Sequence, residues 1–203
     1  MRRWYFALLG GLFSLSVYAD TSIPVAYYRI AKESEIPVEI LYAMARTESR
    51  RLTSQGIRPW PWTLNIAGEG HYFEDKLSAF RTAKAAVAEG QSVDIGLMQI
   101  SWRYHQDRFT SMLSAFDPYE NLRVGAKILL EYIDQSGSLW SGIGRYHSGN
   151  QDKASPYQSR VAEQLVKVLE DSALDDRHSI HLAQATMLPV GLNLAGEQRR
   201  GWQ

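Results

Sequence analysis

The 203-residue chain contains no cysteine. That excludes a disulfide-stapled scaffold, a zinc site held by thiolates and a thiol nucleophile together. It also lacks an excess of either charge, since Lys plus Arg and Asp plus Glu number 22 each. No bulk field draws the molecule to nucleic acid or anionic lipid, and no nucleic-acid partner is expected. Internal repeats and low-complexity runs are missing. With 45% hydrophobic and 22% charged residues, what remains is an average globular composition. It excludes a disordered tail, a collagen-like repeat and a polytopic membrane protein. The length suits one domain, whose core must hold by packing alone.

The first positive feature is the N-terminus. Met1-Arg2-Arg3 is a basic start, Trp4 to Val17 is apolar apart from glycines and serines, and Val17-Tyr18-Ala19 offers small residues. This is the order of a secretory signal at residues 1–19, removed after Ala19. The apolar stretch of about fourteen residues is short of the roughly twenty a membrane span needs, and an uncleaved N-terminal anchor is the competing reading. Cleavage removes two arginines and leaves a slight acidic excess, with the mature chain outside the cytoplasm and no integral span.

The rest reads as amphipathic helices. Pro37 opens one, with Leu41, Met44 and Ala45 as its apolar stripe. Leu77, Phe80, Ala83 and Val87 form a second stripe, ended by Gly90. Asp117-Pro118-Tyr119-Glu120 is a capping-box pattern, and Gly125, Leu129 and Ile133 continue that helix's inward face to Gly137. Trp140, Ile143 and Tyr146 outline a short helix. Ser155-Pro156 caps the last one, with Val161, Leu165 and Val168 at helical spacing. Beyond about Asp171 the pattern decays, so residues 171–203 are expected as a loosely attached tail.

One stretch breaks the helical rule. Arg58-Pro59-Trp60-Pro61-Trp62-Thr63-Leu64-Asn65-Ile66 has two prolines, two tryptophans and then alternation. Gly68-Glu69-Gly70 reads as a turn, with β-prone His71-Tyr72-Phe73 beyond it. Residues 58–73 are either a small β-hairpin inserted between helices or an irregular surface loop whose tryptophans plug a gap in the core.

Glu48 is the most informative side chain. It lies seven residues after Leu41 and four after Met44, in the next slot of an inward stripe. A carboxylate there is partly desolvated, and the negative end of the helix dipole pushes its pKa the same way. An acid that keeps its proton near neutral pH can donate it to a leaving group. If the helix instead ends by Thr47, Glu48 is merely solvated; periodicity leaves both readings open.

The surrounding motifs carry a resemblance. Ala45-Arg46-Thr47-Glu48-Ser49 is followed by Gly96-Leu97-Met98-Gln99-Ile100, by Asn121-Leu122 with Gly125-Ala126, and by Tyr146-His147-Ser148-Gly149. In this order, over residues 24–169, the chain resembles the lysozyme-like soluble lytic transglycosylase (SLT) family. The Trp60-Pro61-Trp62 insert resembles a subgroup from conjugation and integrative-element systems. The resemblance implies a mainly α, lysozyme-like (goose-type) domain over residues 20–170, with the small insert at 58–73.

It further implies cleavage of the β-1,4 bond between N-acetylmuramic acid and N-acetylglucosamine in peptidoglycan, closing a 1,6-anhydro ring, with Glu48 as acid and then base. Substrate-assisted glycosidases need only one carboxylate. The nearest candidates for a second are Asp94 and Glu69, either of which also reads as an ordinary surface acid. Ser49 would bond the sugar or orient the site. Met98 and Gln99 would line the groove, and Tyr146 would aim its hydroxyl at Glu48; Met98 and Tyr146 also read as plain core. The family usually carries Tyr-Asn-Ala-Gly where this chain has Tyr146-His147-Ser148-Gly149, so the asparagine's role does not transfer to His147. Trp60 and Trp62 present flat faces suited to sugar rings, and a groove wall carrying them would hold extra sugars.

No cofactor or metal is implied: His178 and His181 have ligand-like spacing but supply no complete site. Arg199-Arg200 is too short for a nucleic-acid arm. The expected partners are glycan strands and a secretion or conjugation apparatus, the expected location is the periplasm, and a monomer is expected. The alternatives are a wall-binding module without catalysis and a muramidase that uses water.

Overall fold

The computed structural model describes residues 23–187, with side chains to Leu174. The expected signal at 1–19 and Arg199-Arg200 lie outside the described residues, as do the side chains of His178 and His181. The architecture is the expected one, mainly helical with small antiparallel sheets.

Helix α1 (Val25–Ser34) runs into Glu35, which turns the chain with a left-handed φ of 57°. Pro37, with φ preset at −52°, then opens α2 (Val38–Ser49). Leu41, Met44 and Ala45 are fully buried as the stripe requires, and Tyr42 and Ala43 are buried beside them. Burial on nearly every side makes α2 the central helix, packed against α1 and α7 (Gln151–Met187). Each fully buried leucine or methionine of this kind contributes about 1.5–3 kcal/mol of transfer free energy.

The helical lobe is completed by α5 (Pro118–Ser136) and α6 (Leu139–His147). The carboxylate of Asp117 accepts hydrogen bonds from the backbone N–H groups of Tyr119 and Glu120 at 3.0 and 3.1 Å, as the capping pattern requires. Gly137 ends α5 at φ 73°. The last helix begins earlier than expected. Asn150 caps it, accepting from Asp152 N–H at 2.8 Å, and Pro156 lies inside rather than at the start. Its backbone passes residue 171 without a break, and Arg46 on α2 pairs with Asp171 at 3.1 Å.

The segment after Glu48 forms two hairpins. The first, β1 (Arg50–Thr53) with β2 (Gly56–Pro59), was not anticipated. Its only large apolar pair, Leu52 opposite Ile57, faces solvent, so no inward alternation marked it. The second pairs β3 (Thr63–Ile66) with β4 (Glu69–Tyr72), so the hairpin reading of the insert holds over this part. The turn itself is Ala67-Gly68, both at positive φ (52° and 96°), the geometry that matches strand twist in tight hairpins. Glu69 and Gly70, expected in that turn, already belong to β4.

Strand β3 also pairs with β5 (Val93–Ile95), which turns back into β6 (Ile100–Ser101), giving the order β4-β3-β5-β6. Under this sheet packs α3 (Lys76–Ala88), started by the Asp75 cap. Three of the four expected inward residues hold, since Ala83 is buried and Phe80 and Val87 pack against the sheet-side core. Ala79, Ala83 and Ala86 are buried, whereas Leu77 is 52% exposed. The small alanines let the helix approach the sheet closely, and Leu77 stands in its first turn. A four-residue helix, α4 (Trp102–His105), follows β6.

The core is accordingly split. One cluster joins α1, α2, α5, α6, α7 and residues 97–100; the other joins the sheet, α3, Ala115 and Phe116. Phe109 packs against both.

Candidate active site

Glu48 lies in the last turn of α2, where the helical lobe meets the sheet lobe. Ser49 ends the helix and is fully buried. Its Oγ lies 2.8 Å from the Leu97 carbonyl and 3.0 Å from that of Ala45. Ser49 therefore ties α2 to the loop between β5 and β6 and is closed off from any bound sugar. Of its two expected roles, orienting the site is the one its position allows.

That loop is Gly96-Leu97-Met98-Gln99, and its shape is set by a buried amide. Asn121 of α5 accepts from Met98 N–H at 2.9 Å and donates to the carbonyls of Ile95 and Ala115 at 2.9 and 3.0 Å. Gly96 has φ 82° and backs directly onto that amide, leaving no room for a Cβ. Met98 is core rather than groove lining. It is fully buried, and a Cβ at Gly125 would lie 2.7 Å from its Cβ and Cγ. Gln99, at φ 44°, does face the groove, with its amide donating to the Gly96 carbonyl at 2.9 Å.

Glu48, Gln99 and Tyr146 line one cleft of about 510 Å³. Ile128 and Tyr132 of α5 and residues 145–149 form the helical side. Asn65, Asp94, Ser101, Tyr104 and His105 form the sheet side. A separate, mainly apolar groove of about 360 Å³, which includes Pro24, Tyr42 and Pro61, holds no carboxylate, so the proton chemistry belongs to the first cleft.

The tyrosine on Glu48 is not the expected one. Tyr146 donates its hydroxyl to the Met98 carbonyl at 2.9 Å, bracing the loop. Tyr157 of α7, almost wholly buried, donates to Glu48 Oε1 at 2.6 Å. Tyr157, absent from the expected site residues, stands four residues before Val161 on the inward stripe of α7. A polar-tipped residue on such a stripe was the available signal. His147 stacks on the Tyr157 ring with centroids 4.6 Å apart and planes 5° from parallel.

Electrostatics follow from this enclosure. Desolvation pushes the Glu48 pKa to about 7; the Tyr157 hydrogen bond pulls it down, the charge of Asp94 raises it, and Arg160 lowers it. Asp94 is itself raised by burial, with a hydrogen bond to Ser101 acting against the shift. Asp94 thus shares the cleft with Glu48, whereas Glu69 lies exposed at the hairpin, outside the cleft lining. Burial also lowers the His147 pKa, and Arg160 and Lys153 lower it further.

Trp60 and Trp62 do not line this cleft. Their rings meet edge to face at 5.5 Å, and Trp60 Nε1 donates to the Phe73 carbonyl at 2.6 Å. Arg51 lies over the Trp60 ring at 4.5 Å, and Trp62 packs on the sheet-side core. The exposed aromatic at the cleft is Tyr104, 74% exposed.

Searches of curated proteins and of solved structures return no match to this chain. A family model described as the Transglycosylase SLT domain matches residues 77–166. The matched segment is under half of the chain and runs from α3 into α7, taking in the Gly96–Gln99 loop, Asn121, Tyr146 and Tyr157 while leaving out Glu48. Together with a mainly helical fold carrying small antiparallel sheets, the match supports the SLT transglycosylase family, a lysozyme-like fold, for this chain.

Proposed function

We propose that the protein is a peptidoglycan lytic transglycosylase in which Glu48 acts first as acid and then as base. The observation that carries this reading is a partly enclosed carboxylic acid, Glu48, with its pKa raised to about 7, at the wall of an open cleft and hydrogen-bonded by Tyr157. In the first step Glu48 gives its proton to the glycosidic oxygen, and the departing N-acetylglucosamine takes the bonding electron pair. The N-acetyl group of the muramic acid stabilises the cation at the anomeric carbon. The Glu48 carboxylate then removes the proton from the C6 hydroxyl as its oxygen attacks that carbon. The anhydro ring closes and Glu48 regains its proton, so no water is consumed. The protein acts in the periplasm as a monomer after loss of residues 1–19, and local wall cutting of this kind suits a secretion or conjugation apparatus.

One observation favours a second reading. Asp94 stands in the same cleft as Glu48, and a second carboxylate lets water replace the C6 hydroxyl as nucleophile. Digesting purified peptidoglycan with the chain and with Glu48→Gln, followed by mass spectrometry of the fragments, separates the outcomes. Anhydro-muropeptides from the unsubstituted chain alone are expected. Reducing ends instead indicate hydrolysis, and cleavage by neither protein indicates a wall-binding module.

A further inference from the structure

Resting on the peptidoglycan reading above, we propose that Arg145 is a carboxylate-binding residue of the cleft, one that recognises an acidic group carried by the glycan strand. Arg145 lies on α6 next to Tyr146 and is the only lysine or arginine among the described residues lining the cleft. Its guanidinium sits 5.8 Å from the centroid of the Tyr132 ring, another cleft residue, and Nη2 lies 3.4 Å from Gln135 Oε1. The Tyr132 ring and Gln135 neighbour the guanidinium, and its remaining N–H groups suit the planar fork that matches a carboxylate.

No carboxylate among the described residues pairs with Arg145. Arg29, Arg46, Arg51, Arg108 and Arg123 each hold an acid of the chain itself. The carboxylates lining the cleft are Glu48 and Asp94, and burial raises the pKa of both, which lessens their repulsion of an incoming anion. A cation without a carboxylate partner, in a cleft whose lining also holds two acids, two histidines, tyrosines and amides, therefore calls for an anion from the ligand. A muramic-acid strand supplies it in one chemistry from two sources: the lactyl carboxylate of the sugar, or the carboxylates of the peptide attached there.

The test measures affinity by calorimetry in a Glu48→Gln background, so that no strand is cut. The probes are neutral tetra-N-acetylchitotetraose, peptide-free glycan strands and peptide-bearing strands. Adding Arg145→Gln is expected to weaken carboxylate-bearing strands about tenfold while leaving the neutral tetramer within about twofold, the loss shrinking as salt rises. Arg145→Lys is expected to restore part of the affinity, keeping the charge but not the fork. Weakening of both strand types assigns the lactyl group; weakening of peptide-bearing strands alone assigns the peptide. An equal change for all three probes, or none for any, overturns the proposal. Failure of the catalytic reading shows instead in digestion products, which these affinities do not involve, and no binding of any probe overturns both.

Discussion

At the scale of single residues, the chemistry turns on how Glu48 is solvated. Burial lifts its pKa to about 7 while a 2.6 Å hydrogen bond from Tyr157 holds it from rising further. Glu48 is therefore protonated in a large share of molecules at neutral pH and can return as a base in the same turnover. Replacing Tyr157 with Phe removes a donor that favours the charged form. The Glu48 pKa should rise above about 7, and the alkaline limb of the kcat profile should move to higher pH; an unmoved limb would assign Tyr157 to packing alone. Half of this pair was legible in the sequence, because Glu48 continues a stripe set by Leu41 and Met44. Tyr157, 109 residues away, was not, because no local spacing relates the two.

At the scale of elements, the loop between β5 and β6 is held by one amide with three hydrogen bonds, and Gly96 is the residue that lets it approach. Gly96→Ala meets a left-handed backbone and the Asn121 amide together. The φ penalty of about 1–2 kcal/mol adds to disrupted buried hydrogen bonds worth a similar amount, for a loss of about 3 kcal/mol in urea unfolding. A loss below about 1 kcal/mol would show that Asn121 moves aside freely. The hairpins carry a different lesson. The faces of Trp60 and Trp62 suit pyranose rings, but both stand outside the cleft, with Arg51 over the Trp60 ring, the two rings edge to face and Trp62 against the sheet-side core. The exposed aromatic over the cleft is Tyr104. Tyr104→Ala should weaken glycan binding several-fold with the melting temperature unchanged, whereas Trp60→Ala should lower stability with little effect on affinity. The reverse pattern would return the platform to the insert.

At the scale of the whole molecule, two cores meet along the cleft, and the cost of enclosing an acid there falls on the stability of the entire fold. The folded state binds the Glu48 proton more tightly than the unfolded chain does, where the group titrates near its ordinary 4.5. Native stability from this group is therefore greatest below about 4.5, falls as pH rises toward about 7, and is level beyond. Glu48→Gln removes the penalty and keeps an oxygen for Tyr157. The variant should gain up to about 3 kcal/mol at pH 8 and little at pH 4.5, read by urea unfolding at both values. An equal gain at both pH values would show that enclosure of the charge is not its source.

The sequence by itself determined what depends on near neighbours: the cap at Asp117, the stop at Gly137 and the buried stripe of α2 from Leu41 to Ala45. These rest on contacts three or four residues apart, which the order of residues states directly. Only the tertiary structure decided whether α2 ran on to Glu48, which tyrosine reached it, and whether Met98 or Tyr104 faced the cleft. Each of those outcomes depends on how closely distant elements approach. Close packing admits one arrangement of side-chain volumes and buried polar pairs, and local periodicity is indifferent among several.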